Sequence, residues 1–316
     1  MRPVVSRLRR LRRAALVPLA AAAALAGCGL GPGETTRSPA RIAVTDRFGT
    51  VQVGARIIQQ IPETETIMRA TQRAFDVETR YGGGFVQAID GRAGGRQGGR
   101  PVDWFLYVNG AASDVGATRV DLHGGDHIWW DRHEWGATAP TTAVVGAFPA
   151  PFTAGKEGKR YPVVLQCAPD ADAACDLVAE KLSAAGASPS RQTLGTGVET
   201  EVVKVLVGTW PRIRADAALR QADLGRGGGG IYARFSADGA RLELLDPRGA
   251  VRRTLGAGAG LVAASAYEEQ APTWAVTGTD LAGVRAAAAA LEEPRLRNRI
   301  ALAVDGGSDI GLPVVG

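Results

Sequence analysis

Two aromatic segments joined through a glycine turn constrain this chain more than any other feature. Residues 102–110 read Val-Asp-Trp-Phe-Leu-Tyr-Val-Asn-Gly, and residues 122–135 read Leu-His-Gly-Gly-Asp-His-Ile-Trp-Trp-Asp-Arg-His-Glu-Trp. Four of the six tryptophans and all three histidines lie in this region. Aromatic and branched residues ending at Asn109-Gly110 predict a strand closed by a turn with positive φ. The second segment turns at Gly124-Gly125-Asp126 and predicts another strand. Period-two alternation puts Trp104, Leu106 and Val108 on one face of the first strand, and Phe105 and Tyr107 on the other. Both faces are apolar, so the strand is expected to be central and covered on both sides.

Upstream, Ile42–Thr45 and Thr50–Ala55 predict a hairpin around Asp46–Gly49. A helix follows Pro62-Glu63-Thr64, capped by Thr64 or Glu63, with Ile67, Thr71 and Ala74/Phe75 at helical spacing. Val77–Arg80 and Phe85–Ile89 predict strands around Gly82-Gly83-Gly84, and Gly91–Arg100 a glycine-rich loop. Downstream, strands alternate with helices. Tyr161–Gln166, Val202–Val207, Trp274–Thr277 and Arg299–Val304 read as strands, the last closing the chain. Asp172–Ala185, Arg214–Ala222 and Leu281–Glu292 read as helices, the third capped by Thr279 or Asp280. Ile231–Ser236 and Arg241–Asp246 read as a hairpin across Asp238-Gly239. The pattern predicts an α+β chain whose second half is an α/β domain with a mixed sheet.

The run from Trp104 to Gly110, the run Gly124–Trp130 and the preceding Tyr81–Gly91 resemble the β-grasp family that includes the C-terminal domain of transcobalamin and intrinsic factor. Many bacterial envelope proteins share it. The resemblance covers roughly residues 41–136 and implies a β-grasp fold, with a corrinoid-like or other flat cofactor as the ligand class. The helical-barrel partner domain of transcobalamin has no counterpart here. The second half resembles no family.

The N-terminus carries six arginines (2, 7, 9, 10, 12 and 13) and no acid, then an apolar run from Ala14 to Ala26. It ends in Leu25-Ala26-Gly27-Cys28, the pattern of a bacterial signal peptide with a lipobox. The run is shorter than the ~20 residues of a membrane-spanning helix. The pattern implies cleavage before Cys28 and lipidation of its thiol. The expected organisation is a signal peptide (1–27), a Gly/Pro/Ser/Thr tether (28–40), the β-grasp domain (41–138), a linker (139–160) and the α/β domain (161–316). Without the signal peptide, 31 basic residues face 32 acidic ones, a net of −1. A nucleic-acid partner therefore loses the basic face it needs.

The ligand-binding candidates are Tyr81, Gly82, Gly83, Gly84, Trp104, Tyr107, Asn109, Trp129 and Trp130. Tryptophan and tyrosine offer flat apolar area with one polar atom, and the glycine loop admits close backbone approach. Core packing competes for Trp104 and for one of Trp129 and Trp130. Asn109 could orient a polar group of the ligand or form the turn with Gly110. His127, Asp131 and His133 alternate onto one face, but positions i and i+4 on a strand lie ~13 Å apart, so no metal site is assigned. The glycine runs 225–230 and 256–260 lack the strand–helix context of a dinucleotide fingerprint. No zincin spacing or Gly-x-Ser-x-Gly elbow is present, and Glu268-Glu269 and Glu292-Glu293 read as solvated acids. No catalytic residue is named. Cys167 and Cys175 close a short loop outside the cytoplasm; a disulfide is expected, two buried thiols being the alternative.

The expected function is a membrane-tethered binding protein for a small ligand, in connection with a transporter. The alternative is a lipoprotein that contacts protein or cell-wall polymer. Replacing Cys28 with serine removes the thiol that a thioether needs. The variant is expected to accumulate as unprocessed precursor; processing and detergent partitioning like the wild type, followed by immunoblot, would count against the anchor.

Overall fold

The structure, a computed structural model, describes residues 38–224, 227–267 and 270–315. The expected signal peptide, Cys28, nearly all of the expected tether, Gly225, Arg226, Glu268, Glu269 and Gly316 lie outside the described residues. The protein is α+β. In its first half, β1 (Ala40–Asp46) and β2 (Val51–Ile58) form an antiparallel hairpin. Helix α1 (Ile67–Ala74) follows, then a small sheet of β3 (Val77–Arg80), β4 (Phe85–Ile89) and β5 (Arg92–Ala93). Then come β6 (Gly95–Gln97), β7 (Arg100–Val108), β8 (Ala111–Ala112) and β9 (His127–Glu134). The main sheet runs β2-β1-β9-β7-β6, with β8 beside β7. Its central pair, β1 and β9, is parallel, and each has an antiparallel partner outside it. That is the β-grasp arrangement, with α1 across one face.

Local chemistry explains most of these elements. Asn109 and Gly110 both take positive φ, at 48° and 81°, where the chain turns from β7 into β8. Helix α1 starts later than expected. Glu65 N–H bonds back to the Pro62 carbonyl at 3.0 Å, so Thr66, not Thr64, accepts from Arg69 N–H as the cap, at 3.3 Å. The Gly91–Arg100 loop contains two short strands: β5 pairs with β4 across the Asp90-Gly91 turn, and β6 with β7 across Gly98-Gly99.

The segment 139–160 is pinned to both halves. Val144 N–H bonds to the Gly110 carbonyl at 2.8 Å and Val145 N–H to the Ile300 carbonyl at 3.1 Å. Val144, Val145, Ala147, Phe148 and Phe152 are buried, and Ala150–Thr153 forms α2. The second half contains β10 (Val163–Cys167), α3 (Asp172–Ala184), β11 (Pro189–Thr193), β12 (Val203–Val207), α4 (Trp210–Ile213) and α5 (Ala217–Leu224). A three-stranded sheet follows: β13 (Ala233–Phe235), β14 (Leu242–Leu245) and β15 (Val251–Leu255). The remaining elements are β16 (Gly260–Ser265), β17 (Thr273–Gly278), α6 (Leu281–Ala289), α7 (Glu293–Leu296), β18 (Ala301–Asp305) and β19 (Ser308–Leu312). The large sheet runs β11-β10-β12-β17-β16-β18-β19, parallel from β11 to β17 and antiparallel beyond.

In the second half, β11, β15, β16 and β19 were not expected from the sequence. β16 is a run of small residues, buried at all six positions. Smallness is required there, because a Cβ on Gly260 would lie 2.4 Å from the Gly283 carbonyl oxygen of α6. β18 is not the last strand: Gly306-Gly307 turns the chain into β19. The cap of α6 is Asp280, which accepts from Gly283 N–H at 2.8 Å. Cys167 at the end of β10 and Cys175 in α3 are joined by a disulfide, with Cα atoms 6.1 Å apart. Among the described residues, no helix is long and apolar enough to cross a membrane.

Three cores result. One lies between α1 and the β-grasp sheet and includes Ile42, Trp104, Leu106, Ile128 and Trp130. Another packs α3 and α6 on the large sheet. The third joins the halves: Phe48, Tyr107 and Trp129 share it with Leu242, Leu261, Ala301 and Leu312. The β-grasp sheet is therefore covered on both faces, as its two-sided apolar pattern requires. Trp129 is fully buried, whereas Trp135 is 50% exposed. Trp129→Ala is expected to cost about 3–5 kcal/mol by cavity formation, and Trp135→Ala less than about 1 kcal/mol. Urea unfolding curves of the two variants check the difference.

Candidate functional site

Alternation along β9 turns Trp129, Asp131 and His133 toward the second half. Asp131 has no solvent exposure. Its carboxylate accepts from Thr45 Oγ1 at 2.5 Å, Phe48 N–H at 3.0 Å, Gly49 N–H at 2.9 Å and His133 Nδ1 at 2.7 Å. Trp129 Nε1 donates to Thr45 Oγ1 at 2.7 Å and extends the network. A carboxylate buried this deeply is tolerable only when its lone pairs are met, and four donors meet them.

Two of those donors come from an unusual turn. Arg47, Phe48 and Gly49 all have left-handed φ, at 57°, 58° and 80°. Successive N–H groups in such a turn form an anion-binding concavity, here filled by Asp131. Gly49 is obligatory. A Cβ there would lie 1.8 Å from the Asn298 carbonyl oxygen, so the turn meets the second half backbone to backbone. His133 is clamped between Phe48 and Phe105, with ring centroids 4.3 and 4.1 Å away and planes 24° and 11° apart. Asp131 holds the Nδ1–H. Among the described residues Nε2 has no partner, and it is not enclosed, so it opens on a cleft.

The cleft has a volume of about 480 Å³. One wall is the turn Asp46-Arg47-Phe48, with Gln97, Gly98, Arg100, Val102 and Arg132–Glu134. The other is Asp246-Pro247-Arg248, Arg252, Val314 and Val315. Arg132 spends its guanidinium on Asp46 at 3.1 Å and the Ala93 carbonyl at 2.9 Å. Arg92 also bonds Asp46, at 3.2 Å, and Arg100 bonds Glu134 at 2.8 Å. Asp246 caps its own turn by accepting from Arg248 and Ala250 N–H groups at 2.9 and 3.0 Å. Five arginines thus face three carboxylates.

The ligand-binding residues expected from the sequence are not brought together. Trp104 and Trp130 face α1, and their indole N–H groups bond to the Arg92 carbonyl at 2.9 Å and Thr71 Oγ1 at 3.2 Å. Tyr107 and Trp129 face the opposite way and are sealed under the second half. Burial, then the Asp131 charge, raises the Tyr107 phenol well above its ordinary range, so it stays protonated. None of the four aromatics offers a face to a ligand, because both sides of the sheet are roofed. Asn109 is 3% exposed and spends its amide within the chain. It donates to Asp126 at 2.7 Å and the Gly155 carbonyl at 2.9 Å, and accepts from His127 N–H at 2.8 Å. It is the turn former. The Tyr81–Gly84 loop lies apart from the cleft walls. Tyr81 is 86% exposed, and Gly82 and Gly83 border open space.

The cleft residues that sequence reasoning missed are Arg47, Arg248 and Arg252. Asp131 and His133 were visible as neighbours on one face, but not as a hydrogen-bonded pair. An Asp-Pro-Arg-Gly turn at 246–249 was the only local signal on the far wall.

Residues 64–134 match the model of a family described as a domain of unknown function (DUF4430). No curated protein matches the chain. Among solved structures, it is similar to a candidate metal-binding protein from Ruminococcus gnavus ATCC 29149. The identity is 13% and the TM-score 0.25, with 31% of this chain and 99% of the other covered. A likeness of that size carries no argument about a site.

At the opposite end of β9, His127 is buried and its Nε2 has no partner. Burial pushes its imidazole from the ordinary 6.5 down to about 4; the Arg41 charge acts the same way, and a bond to the Ala147 carbonyl opposes them. The folded pKa lies below the unfolded one, so the stabilising contribution is full above 6.5 and is lost as pH falls toward 4. Between those values the unfolded chain binds a proton that the folded chain refuses. The loss is on the order of 3 kcal/mol. Adjacent Asp126 opposes it: burial, first among its causes, raises its carboxyl above the ordinary value, so its folded form takes up a proton earlier as pH falls. His127→Gln is expected to flatten the decline in stability between pH ~6.5 and ~4. Denaturant midpoints across that window check it; an unchanged slope would count against the assignment.

Proposed function

We propose that this chain is a lipid-anchored, extracytoplasmic protein that captures a small ligand in the cleft between its two halves. The observation that carries the reading is how the cleft is built. Its walls come from the β1–β2 turn, β6–β7, β9, the β14–β15 turn and the C-terminal segment, and converge around the clamped His133. Its volume falls within the ~300–1,000 Å³ range of small-molecule sites. The resemblance of the first half to transcobalamin's C-terminal domain makes a corrinoid-like or other flat cofactor the first class to test. Delivery to a transporter is the role that would go with it.

Binding, rather than catalysis, suits the cleft. Among the described residues, no serine, threonine or cysteine lines it beside His133. The contrary reading, a lipoprotein that contacts protein or cell-wall polymer, is favoured by one observation. Tyr81 and Phe85 form an exposed aromatic tip, with ring centroids 6.1 Å apart.

Calorimetric titration of the protein with corrinoids, haem, thiamine-like vitamins and short glycans separates the two readings. Val315→Trp, which fills the cleft from its half-exposed C-terminal wall, is expected to abolish binding, and Tyr81→Ala to leave it intact. Binding that survives Val315→Trp and disappears with Tyr81→Ala would overturn the cleft reading in favour of the tip.

A further inference from the structure

The charge distribution in the cleft assigns the ligand a chemistry. Resting on the reading of the cleft as a ligand site, we infer that the bound molecule carries an oxyanion, a carboxylate or phosphate. Arg47, Arg248 and Arg252 would seat it at the mouth, and His133 Nε2 would meet a polar atom of the same ligand deeper inside.

These three arginines differ from the rest of the cleft. Arg100 and Arg132 are spent on Glu134 and Asp46. Among the described residues, Arg47, Arg248 and Arg252 line the cleft with no side-chain partner. Of the acids lining the cleft, Asp46 already holds Arg92 and Arg132, and Glu134 holds Arg100. Asp246 accepts two N–H groups of its own turn on Oδ1 and keeps its charge, so five arginines outnumber three carboxylates. The comparison within β15 is direct. Arg253 does not line the cleft and is paired with Asp305 at 2.8 Å; Arg252, one position earlier, lines it and is unpaired. Val251 pairs with Leu245 and Arg253 with Leu244, so Arg252 is the extra residue of a β-bulge, and the bulge separates the two roles.

The three guanidiniums come from opposite walls. Arg47 is carried by the β1–β2 turn, whose left-handed backbone is held by Asp131 through the two residues that follow it. Arg248 and Arg252 are carried by the β14–β15 hairpin. An oxyanion between the walls would accept from both, and the planar guanidinium fork matches carboxylate and phosphate alike. Below them, Asp131 fixes His133 with hydrogen on Nδ1. Its Nε2 is therefore an acceptor for a ligand hydroxyl or N–H, and becomes a donor when the ring is protonated.

The test is calorimetric titration of the full chain in detergent at low ionic strength, with inorganic pyrophosphate and citrate as the phosphate and carboxylate probes. At least one is expected to bind, less tightly as salt is added. The double variant Arg248→Ala/Arg252→Ala is expected to weaken that binding by about tenfold or more, and Arg253→Ala to leave it unchanged. All three positions are solvent-exposed, and matching urea midpoints establish that the variants fold. Val315→Trp should block the same probes. If wild type and the double variant bind both probes equally weakly, or neither probe binds, the oxyanion subsite is overturned. An uncharged ligand whose binding is lost with Val315→Trp but kept in the double variant would likewise overturn the subsite, while leaving the cleft reading in place. Oxyanion binding that survives Val315→Trp would put the anion outside the cleft and overturn the assignment made here.

Discussion

The burial of the Asp131 carboxylate is the interaction on which the arrangement between the two halves depends. A charge removed from water must be met by donors or it destabilises the fold by several kcal/mol. Here the donors come from three places: Thr45 on β1, the two N–H groups of the following turn, and His133 two residues along β9. One side chain thus sets the relation of the parallel central strands, the shape of a turn with three left-handed residues, and the orientation of an imidazole. The turn in turn brings Gly49 against the Asn298 backbone of the second half. Removing the carboxylate would leave two buried N–H groups without acceptors and free the ring that lines the cleft.

The second constraint is the double burial of the β-grasp sheet. A strand with tryptophan on both faces needs two roofs. α1 supplies one, over Ile128 and Trp130, and the second half supplies the other, over Trp129 and Tyr107. The halves consequently share a continuous apolar core, and the segment 139–160 runs through it. This explains why the aromatic cluster is structural. A stacking platform for a ligand must keep a face in solvent, and here the protein itself occupies that face.

Much of the architecture was legible in the chain. β7 and β9 were given by aromatic alternation, the β7–β8 turn by Asn109-Gly110, and α6 by Asp280 before an alanine-rich run. What escaped had physical reasons. β16 is built from Gly, Leu, Val, Ala, Ala and Ser, with Gly260 close against α6, and such a run has a single β-branched residue and no aromatic to announce a strand. The expected ligand residues were selected by residue type, which reports a large apolar surface but not which side of a sheet is roofed. The cleft escaped for a different reason. Its walls are more than a hundred residues apart in sequence, and a surface arginine left unpaired for a ligand looks in one dimension like any solvated arginine.

That last point bears on how charge is distributed. Beyond residue 27, the chain carries almost equal numbers of acidic and basic residues. Composition therefore creates no positive field; placement does. Along the described surface about half of the arginines are matched, as Arg234 is with Glu243 and Arg295 with Asp309. Matched pairs at a surface contribute little to stability and cancel one another's field at a distance. An excess within a concave site is different. The low-dielectric walls around it focus the field into the cleft. The Asp131 carboxylate is enclosed behind the ring with its lone pairs met by four donors, and imidazole is what reaches the cleft. The same buried charge that fixes the fold thus forms no ion pair with the arginines in front of it.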